Sequence, residues 1–118
     1  MLSILNTTKN AVIAQNGAIA DTFLSRMAGL LNRKSLPKGE ALVITQCKSI
    51  HMFFMRFSID VIFVDKNDRV VGLVQRIKPF QMSPVFFKSR YAIEVSEGVI
   101  EQTGTSIDDK VEIKKFNK

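Results

Sequence analysis

The chain has 118 residues, of which 46% are hydrophobic and 24% are charged, and these fractions exclude the disordered and fibrous classes of protein. Its length predicts one domain over residues 1–118 with a core of ordinary size. Seventeen basic side chains against eleven acidic ones give a formal charge of +6. The basic residues are scattered and no nucleic-acid-binding motif accompanies them, so the sequence does not favour a nucleic-acid partner.

Cysteine and histidine each occur once, as Cys47 and His51. One cysteine excludes an internal disulfide, and one cysteine with one histidine cannot form a zinc finger, so we expect neither a cofactor nor a metal site. The opening residues carry no basic leader, and no window approaches the roughly 18 unbroken apolar residues that a membrane span requires. We therefore expect a cytoplasmic protein without membrane contact, present as a monomer or a weak homodimer.

The N-terminal part predicts short strands followed by a helix. Two β-leaning runs occupy residues 2–6 and 11–14, and Asn16-Gly17 favours a tight turn because both residues tolerate positive φ. Three apolar residues then recur at the i, i+4, i+7 spacing of an amphipathic helix, which predicts one short helix near residues 22–31. The three are Phe23, Met27 and Leu30.

The rest of the chain predicts further short strands separated by turns. A β-branched run leads into the central segment of residues 47–65, and a turn at Lys66-Asn67 predicts a hairpin with the strand that follows. Prolines and phenylalanines in residues 78–90 predict an ordered, partly aromatic loop. Other strands are predicted over residues 41–45, 69–77, 91–95 and 111–113. The pattern predicts a mainly β fold, a small β-sandwich or barrel of short, mostly antiparallel strands with one short helix.

Several motifs, in this order and spacing, resemble those of a known family. They are Gly29-Leu30, the run from Met55 to Asp65, Pro79, and Ile93-Glu94-Val95 with Gly98. From about Asp21 to Val111 the chain is similar to the family catalogued as domain of unknown function 192, in the branch where Cys47, Ile50 and His51 precede Met55-Arg56-Phe57. The resemblance implies a compact, predominantly β fold with a short helix, and it implies no activity.

Two positions depart from that family, which commonly has glycine where this chain has Asp68 and Asp108. The first follows the central strand and the second lies near the C-terminus. Both are candidates for tight turns, which aspartate tolerates less well than glycine.

The only thiol and the only imidazole stand at the head of the central segment. If residues 47–63 formed one straight strand, Cys47 and His51 would share a face but lie about 13 Å apart, too far for joint contact with a metal ion. A bend near Ser49 would bring them together and would allow a nucleophilic Cys-His pair. The alternative is a buried small thiol and a hydrogen-bonded histidine with no chemical role.

Two carboxylates lie among apolar residues in predicted strands. Asp60 must be exposed, paired or hydrogen-bonded, and its partners could be backbone N–H groups of a neighbouring loop or the side chain of Arg56. We favour the structural alternative for Asp60 over a ligand contact. Glu94 alternates with its neighbours in the same way, and convergence of Glu94 with Asp60 would create a paired-carboxylate site.

These features predict a ligand- or partner-binding module with its site around the central strand. The candidate binding residues are His51, Arg56, Asp60 and Glu94, with Cys47 as a further candidate. Arg56 would recognise an anionic group of a small molecule or protein partner. Two alternatives stay open: a small hydrolase-like enzyme that uses Cys47 or His51 with a carboxylate, and a structural protein that dimerises through residues 79–90.

Overall fold

A computed structural model describes residues 1–20, 35–53 and 55–116. Its strands are β1 (Leu2–Asn6), β2 (Ala11–Ala20), β3 (Glu40–Thr45), β4 (Ile59–Asp65), β5 (Val70–Ile77), β6 (Ser89–Ser96) and β7 (Val111–Lys115), and a short helix, α1, covers Val99–Thr103. The helix predicted near residues 22–31 lies outside the described residues. No helix in the described part of the chain is long and apolar enough to cross a membrane.

All seven strands belong to one sheet, in the order β5-β4-β6-β3-β2-β1-β7. Neighbouring strands are antiparallel except β2 and β3, which run parallel. The sheet curls into a half-barrel whose edge strands approach at one end, where the Val70 N–H donates to the Asp109 carbonyl and the Val111 N–H donates to the Asp68 carbonyl. The predicted mainly β fold is confirmed, in its barrel-like form.

The tight turn predicted at Asn16-Gly17 is wrong, because both residues lie inside β2. Gly17 pairs with Leu2 of β1 on one side and with Ala41 of β3 on the other. A Cβ atom on Gly17 would lie 3.2 Å from side-chain atoms of β1, so the glycine permits close approach of two strands rather than a turn. Pairing on both sides overrides the local turn preference.

The sheet separates two hydrophobic cores. Ile62 and Val64 of β4 point into an inner core, where residues of α1 join them, and Val61 and Phe63 point into an outer core. The strand Ile59–Asp65 is therefore buried on both faces, which explains why its sequence is a continuous apolar run interrupted only by Asp60.

The central segment is a strand only from Ile59 onward, so residues 47–63 do not form one straight strand. Residues 47–53 and 55–58 instead cross the outer core beside residues 78–88, and together these segments form what we call the outer layer. The Ser83 N–H donates to the Ile50 carbonyl at 2.8 Å and the Met52 N–H donates to the Gln81 carbonyl at 2.7 Å. These hydrogen bonds join the backbone N–H and C=O groups of the two segments of the layer.

Asp68 and Asp108 both adopt the left-handed backbone that favours glycine, with φ of 62° and 73°. We expect Asp108→Gly to raise the free energy of unfolding by about 0.5 kcal/mol, because glycine removes the Cβ strain. Asp68→Gly is expected to lower it, since the Asp68 carboxylate accepts a 2.9 Å hydrogen bond from the Tyr91 hydroxyl. Urea denaturation of both variants checks this, and destabilisation by Asp108→Gly would contradict it.

Candidate functional site

Asp60 is a fully buried carboxylate on the inner side of β4. It accepts hydrogen bonds from the backbone N–H groups of Arg76 at 2.8 Å, Gly98 at 3.1 Å and Ile100 at 3.0 Å. Arg76 lies in a bulge of β5, and Gly98 precedes α1 without a side-chain cap. Asp60 therefore ties the bulge and the start of the helix to the central strand, and its partners are the backbone donors that the sequence suggested rather than Arg56.

Glu94 lies on the opposite face of the sheet. It alternates along β6 with two residues of the inner core, so its side chain points outward, beside Leu42 of β3 and Val61 of β4. Glu94 is only 5% exposed, no described residue donates a hydrogen bond to its carboxylate, and burial raises its pKa to about 7. Because Asp60 and Glu94 point to opposite faces, they do not form a paired-carboxylate site.

Ser96 is a polar residue that the sequence analysis missed. It lies two residues beyond Glu94 on the same face of β6, opposite Ile59 of β4. Its hydroxyl is buried and has no hydrogen-bond partner among the described residues. Strand alternation from Glu94 was the signal that could have identified it.

His51 and Arg56 both lie in the outer layer with exposed side chains. The centroid of the His51 ring lies 5.0 Å from that of the Phe53 ring, and the His51 backbone forms an isolated bridge with Met82. The structure thus brings two of the four candidate residues to one layer. The other two, Asp60 and Glu94, belong to the sheet beneath it.

Cys47 is buried at the start of the outer layer, and its thiol donates a 3.2 Å hydrogen bond to the Ser49 carbonyl. It borders an open cleft of about 600 Å³, whose other lining residues are Ile44, Gln46, Lys48, Ser49, Ser89 and Arg90. Among the described residues, no hydrogen bond joins Cys47 to His51, and no three His, Cys, Asp or Glu side chains lie close enough together to hold a metal ion.

The outer layer presents large apolar side chains to solvent. These residues, which we call the apolar surface, are Phe53, Phe80, Met82, Val85 and Phe87, and their exposure ranges from 41% to 80%. Phe86 turns inward instead, with its ring centroid 4.6 Å from that of Phe63. A Cβ atom on Gly72 would lie 2.5 Å from the Phe86 ring, so glycine at that position of β5 makes room for the ring.

Comparison with known sequences decides the family. Residues 4–113 match the model of DUF192, a family described as "Uncharacterized ACR". The chain belongs to the DUF192 family. A UPF0127 protein of Pyrococcus horikoshii is 37% identical over 113 residues, which cover 92% of this chain and 96% of that protein. A UPF0127 protein of Thermococcus sibiricus is 34% identical, covering 92% of this chain and 73% of that protein. The resemblance drawn from the motifs is confirmed.

Two solved structures resemble this DUF192 chain. A protein of unknown function from Novosphingobium aromaticivorans has a TM-score of 0.81 at 20% identity, covering 94% of this chain and 82% of its own. A Sinorhizobium meliloti protein named "putative transcription regulator" has a TM-score of 0.78 at 14% identity, covering 94% and 90%. At these identities the likeness shows the fold alone. The DUF192 description names no activity, so a function must be inferred from the site.

Proposed function

We propose that this domain is a binding module that recognises a partner-protein segment carrying acidic and apolar side chains. The observation that carries the proposal is the exposure of Phe80, Met82 and Phe87, each more than 60% exposed. Exposed apolar groups that lie together on a surface are typical of interaction sites. We also propose that residues 1–118 form one domain and that the protein acts in the cytoplasm.

The backbone beneath the apolar surface is held by hydrogen bonds, so its side chains are presented before a partner arrives. The Phe80 N–H donates to the Met52 carbonyl at 2.7 Å and the Phe86 N–H donates to the Lys48 carbonyl at 2.8 Å. The Lys48 ammonium donates to the carbonyls of Phe87 and Ser89. A preorganised surface loses less conformational entropy on binding, which favours affinity.

The charges of the outer layer favour an acidic partner. Its charged residues in sequence are Lys48, Arg56, Lys78 and Lys88, and it contains no aspartate or glutamate. A second copy that used the same surface would bring like charges together, which costs free energy in an interface that buries them. The charge pattern therefore favours a monomer that binds another protein over dimerisation through residues 79–90.

Two of the predicted site residues fit this surface. Arg56 supplies one of its cations and His51 lies between exposed apolar groups, whereas Asp60 is engaged by backbone donors and Glu94 lies in the sheet. Lys48 lines the cleft beside Cys47, and its ammonium donates a hydrogen bond to the Phe87 carbonyl. The cleft therefore lies near Phe87 and offers room for a partner side chain. The hydrolase alternative receives less support, because a catalytic Cys-His pair needs hydrogen-bond contact and none joins Cys47 to His51 among the described residues.

Selection of peptides from a random display library on the immobilised protein tests the proposal. We expect enriched peptides to combine Asp or Glu with large apolar residues, and their binding to weaken as sodium chloride rises. The double variant Phe80→Ser/Phe87→Ser should weaken binding of a selected peptide at least about tenfold, measured by calorimetry.

The matched control is Val12→Ser, because Val12 is a half-exposed apolar residue of β2 outside the outer layer. It should bind the selected peptide as the unmodified protein does. Equal binding by the double variant would overturn the proposal. Stronger binding to anionic lipid vesicles or to a single-stranded oligonucleotide than to any selected peptide would also overturn it in favour of those partners.

A further inference from the structure

Two polar groups on the outer face of β6 lie side by side without a hydrogen-bond partner among the described residues. The Glu94 carboxylate receives no hydrogen bond from the described residues, and the buried Ser96 hydroxyl has no partner among them. Residues two apart on a strand point the same way and have Cα atoms about 6.6 Å apart. Their cross-strand neighbours are apolar: Leu42 and Val61 flank Glu94, and Ile59 lies opposite Ser96.

The other buried carboxylates in the described chain accept hydrogen bonds from several donors. Asp60 accepts three backbone hydrogen bonds. Asp109 accepts hydrogen bonds from the Asn6 amide, the Lys9 ammonium and the Ser106 N–H. A buried carboxylate without a donor costs several kcal/mol, so Glu94 and Ser96 stand out among the described residues as buried polar groups without a hydrogen-bond partner.

We propose that Glu94 and Ser96 form a binding site for a ligand that carries an ammonium or guanidinium group. The carboxylate would accept N–H donors and balance the positive charge, and the Ser96 hydroxyl would accept a further N–H. Leu42, which is only half-buried, would contact the alkyl part of the ligand. The ligand chemistry fits a free amine or the basic side chain of another chain. This site shares no residue with the apolar surface and does not depend on the proposed partner.

The charge around this site suits a cation. Glu40 lies two residues before Leu42 in β3, on the same outer face. Glu97 alternates with Ser96, and Glu101 lies in α1, so both belong to the inner side of the sheet and not to this site. Arg76 contacts both Glu97 and Glu101 at 3.6 Å. Glu40 therefore adds a second carboxylate to the face that Glu94 and Ser96 share.

Titration of the ¹⁵N-labelled full chain with n-butylamine and n-butylguanidine, followed by NMR, tests the proposal. We expect saturable shifts of the amide signals of Leu42, Val61 and Ser96. Glu94→Gln should weaken binding at least about tenfold, because it keeps the shape of the side chain but removes its charge. Ser96→Ala should weaken it about threefold. Glu101→Gln, which changes an exposed carboxylate nearby, should leave the affinity unchanged.

Uncharged n-butanol is the matched control ligand. Equal shifts with n-butanol, equal amine binding by Glu94→Gln, or no shifts with either cation would overturn the proposal. N-acetyl-lysine methylamide separates the two sources of the ligand. Tighter binding of this compound than of n-butylamine would support a basic side chain of another chain, and the reverse order would support a small free amine.

Discussion

Glu94→Gln is expected to raise the free energy of unfolding by about 3 kcal/mol at pH 8 and to change it little near pH 4.5. Burial raises the pKa of Glu94 from 4.5 to about 7. The folded protein therefore holds this proton more tightly than the unfolded chain, and the contribution of Glu94 to stability is greatest below pH 4.5. Stability falls as pH rises from 4.5 through 7, by about 1.4 kcal/mol for each unit by which the pKa is raised. Glutamine does not titrate and avoids this loss.

Urea denaturation of the unmodified protein and of Glu94→Gln, at intervals between pH 5 and 8, measures the effect. Glu112→Gln is the control, because Glu112 is an exposed carboxylate of β7 and its replacement should leave the pH dependence unchanged. Parallel pH profiles for the unmodified protein and Glu94→Gln would contradict the expectation.

Asp109 does not disturb this measurement. Although burial acts to raise its pKa, hydrogen bonds from Asn6, Ser106 and Lys9 and the charge of Lys9 hold the pKa of Asp109 below its usual value. Its contribution to stability is therefore present above the unfolded pKa, which is 3.8, and is lost only as pH falls further. The two carboxylates act in separate pH windows and in opposite directions.

Asp60→Ala is expected to lower the free energy of unfolding by about 4 kcal/mol. Removing the carboxylate leaves the buried N–H groups of Arg76, Gly98 and Ile100 without their acceptor, and each unsatisfied donor costs about 1–3 kcal/mol less any relaxation. Urea denaturation measures the loss. Asp60→Asn should be intermediate, because its amide keeps one acceptor oxygen but adds a donor that faces other donors.

The control is Asp65→Ala, since Asp65 also accepts two backbone hydrogen bonds, from Asn67 and Arg69, but in an exposed turn. Water can replace that acceptor, so we expect a loss of about 1 kcal/mol or less. Hydrogen exchange adds a local test: the amides of Gly98 and Ile100 should lose protection in Asp60→Asn more than those of β1 do. Equal losses for Asp60→Ala and Asp65→Ala would contradict the assigned role.

The sequence predicted those parts of the fold that depend on local pattern. Alternation and β-branched residues identified the strands. The family resemblance, and not the local pattern, marked Asp68 and Asp108 as positions that favour glycine, and both have positive φ. Asn16-Gly17 was misassigned because pairing with both β1 and β3 is a non-local effect. Helix α1 was missed because five residues are too few to establish a helical period, although glycines with positive φ, Gly98 and Gly104, bound it.

The candidate site was predictable only in part, because burial depends on partners distant in sequence. The backbone donors of Asp60 lie 16 to 40 residues away along the chain. The opposite orientation of Asp60 and Glu94 depends on strand pairing that the sequence does not state. Exposure of the phenylalanines in the loop could not be separated from core packing, since Phe86 turns inward while its neighbour Phe87 turns outward.

The Phe86 ring lies over Gly72, where it occupies the space that a side chain of β5 would take, and this contact links the outer layer to the sheet. The inner core, on the other face, makes no use of that ring. Under the proposed binding function, sequence change at the solvent-facing positions of the layer would alter what the molecule recognises and leave this contact intact. The contact that joins the layer to the barrel, the Phe86 ring over Gly72, is thus made by residues other than those that the layer exposes to solvent.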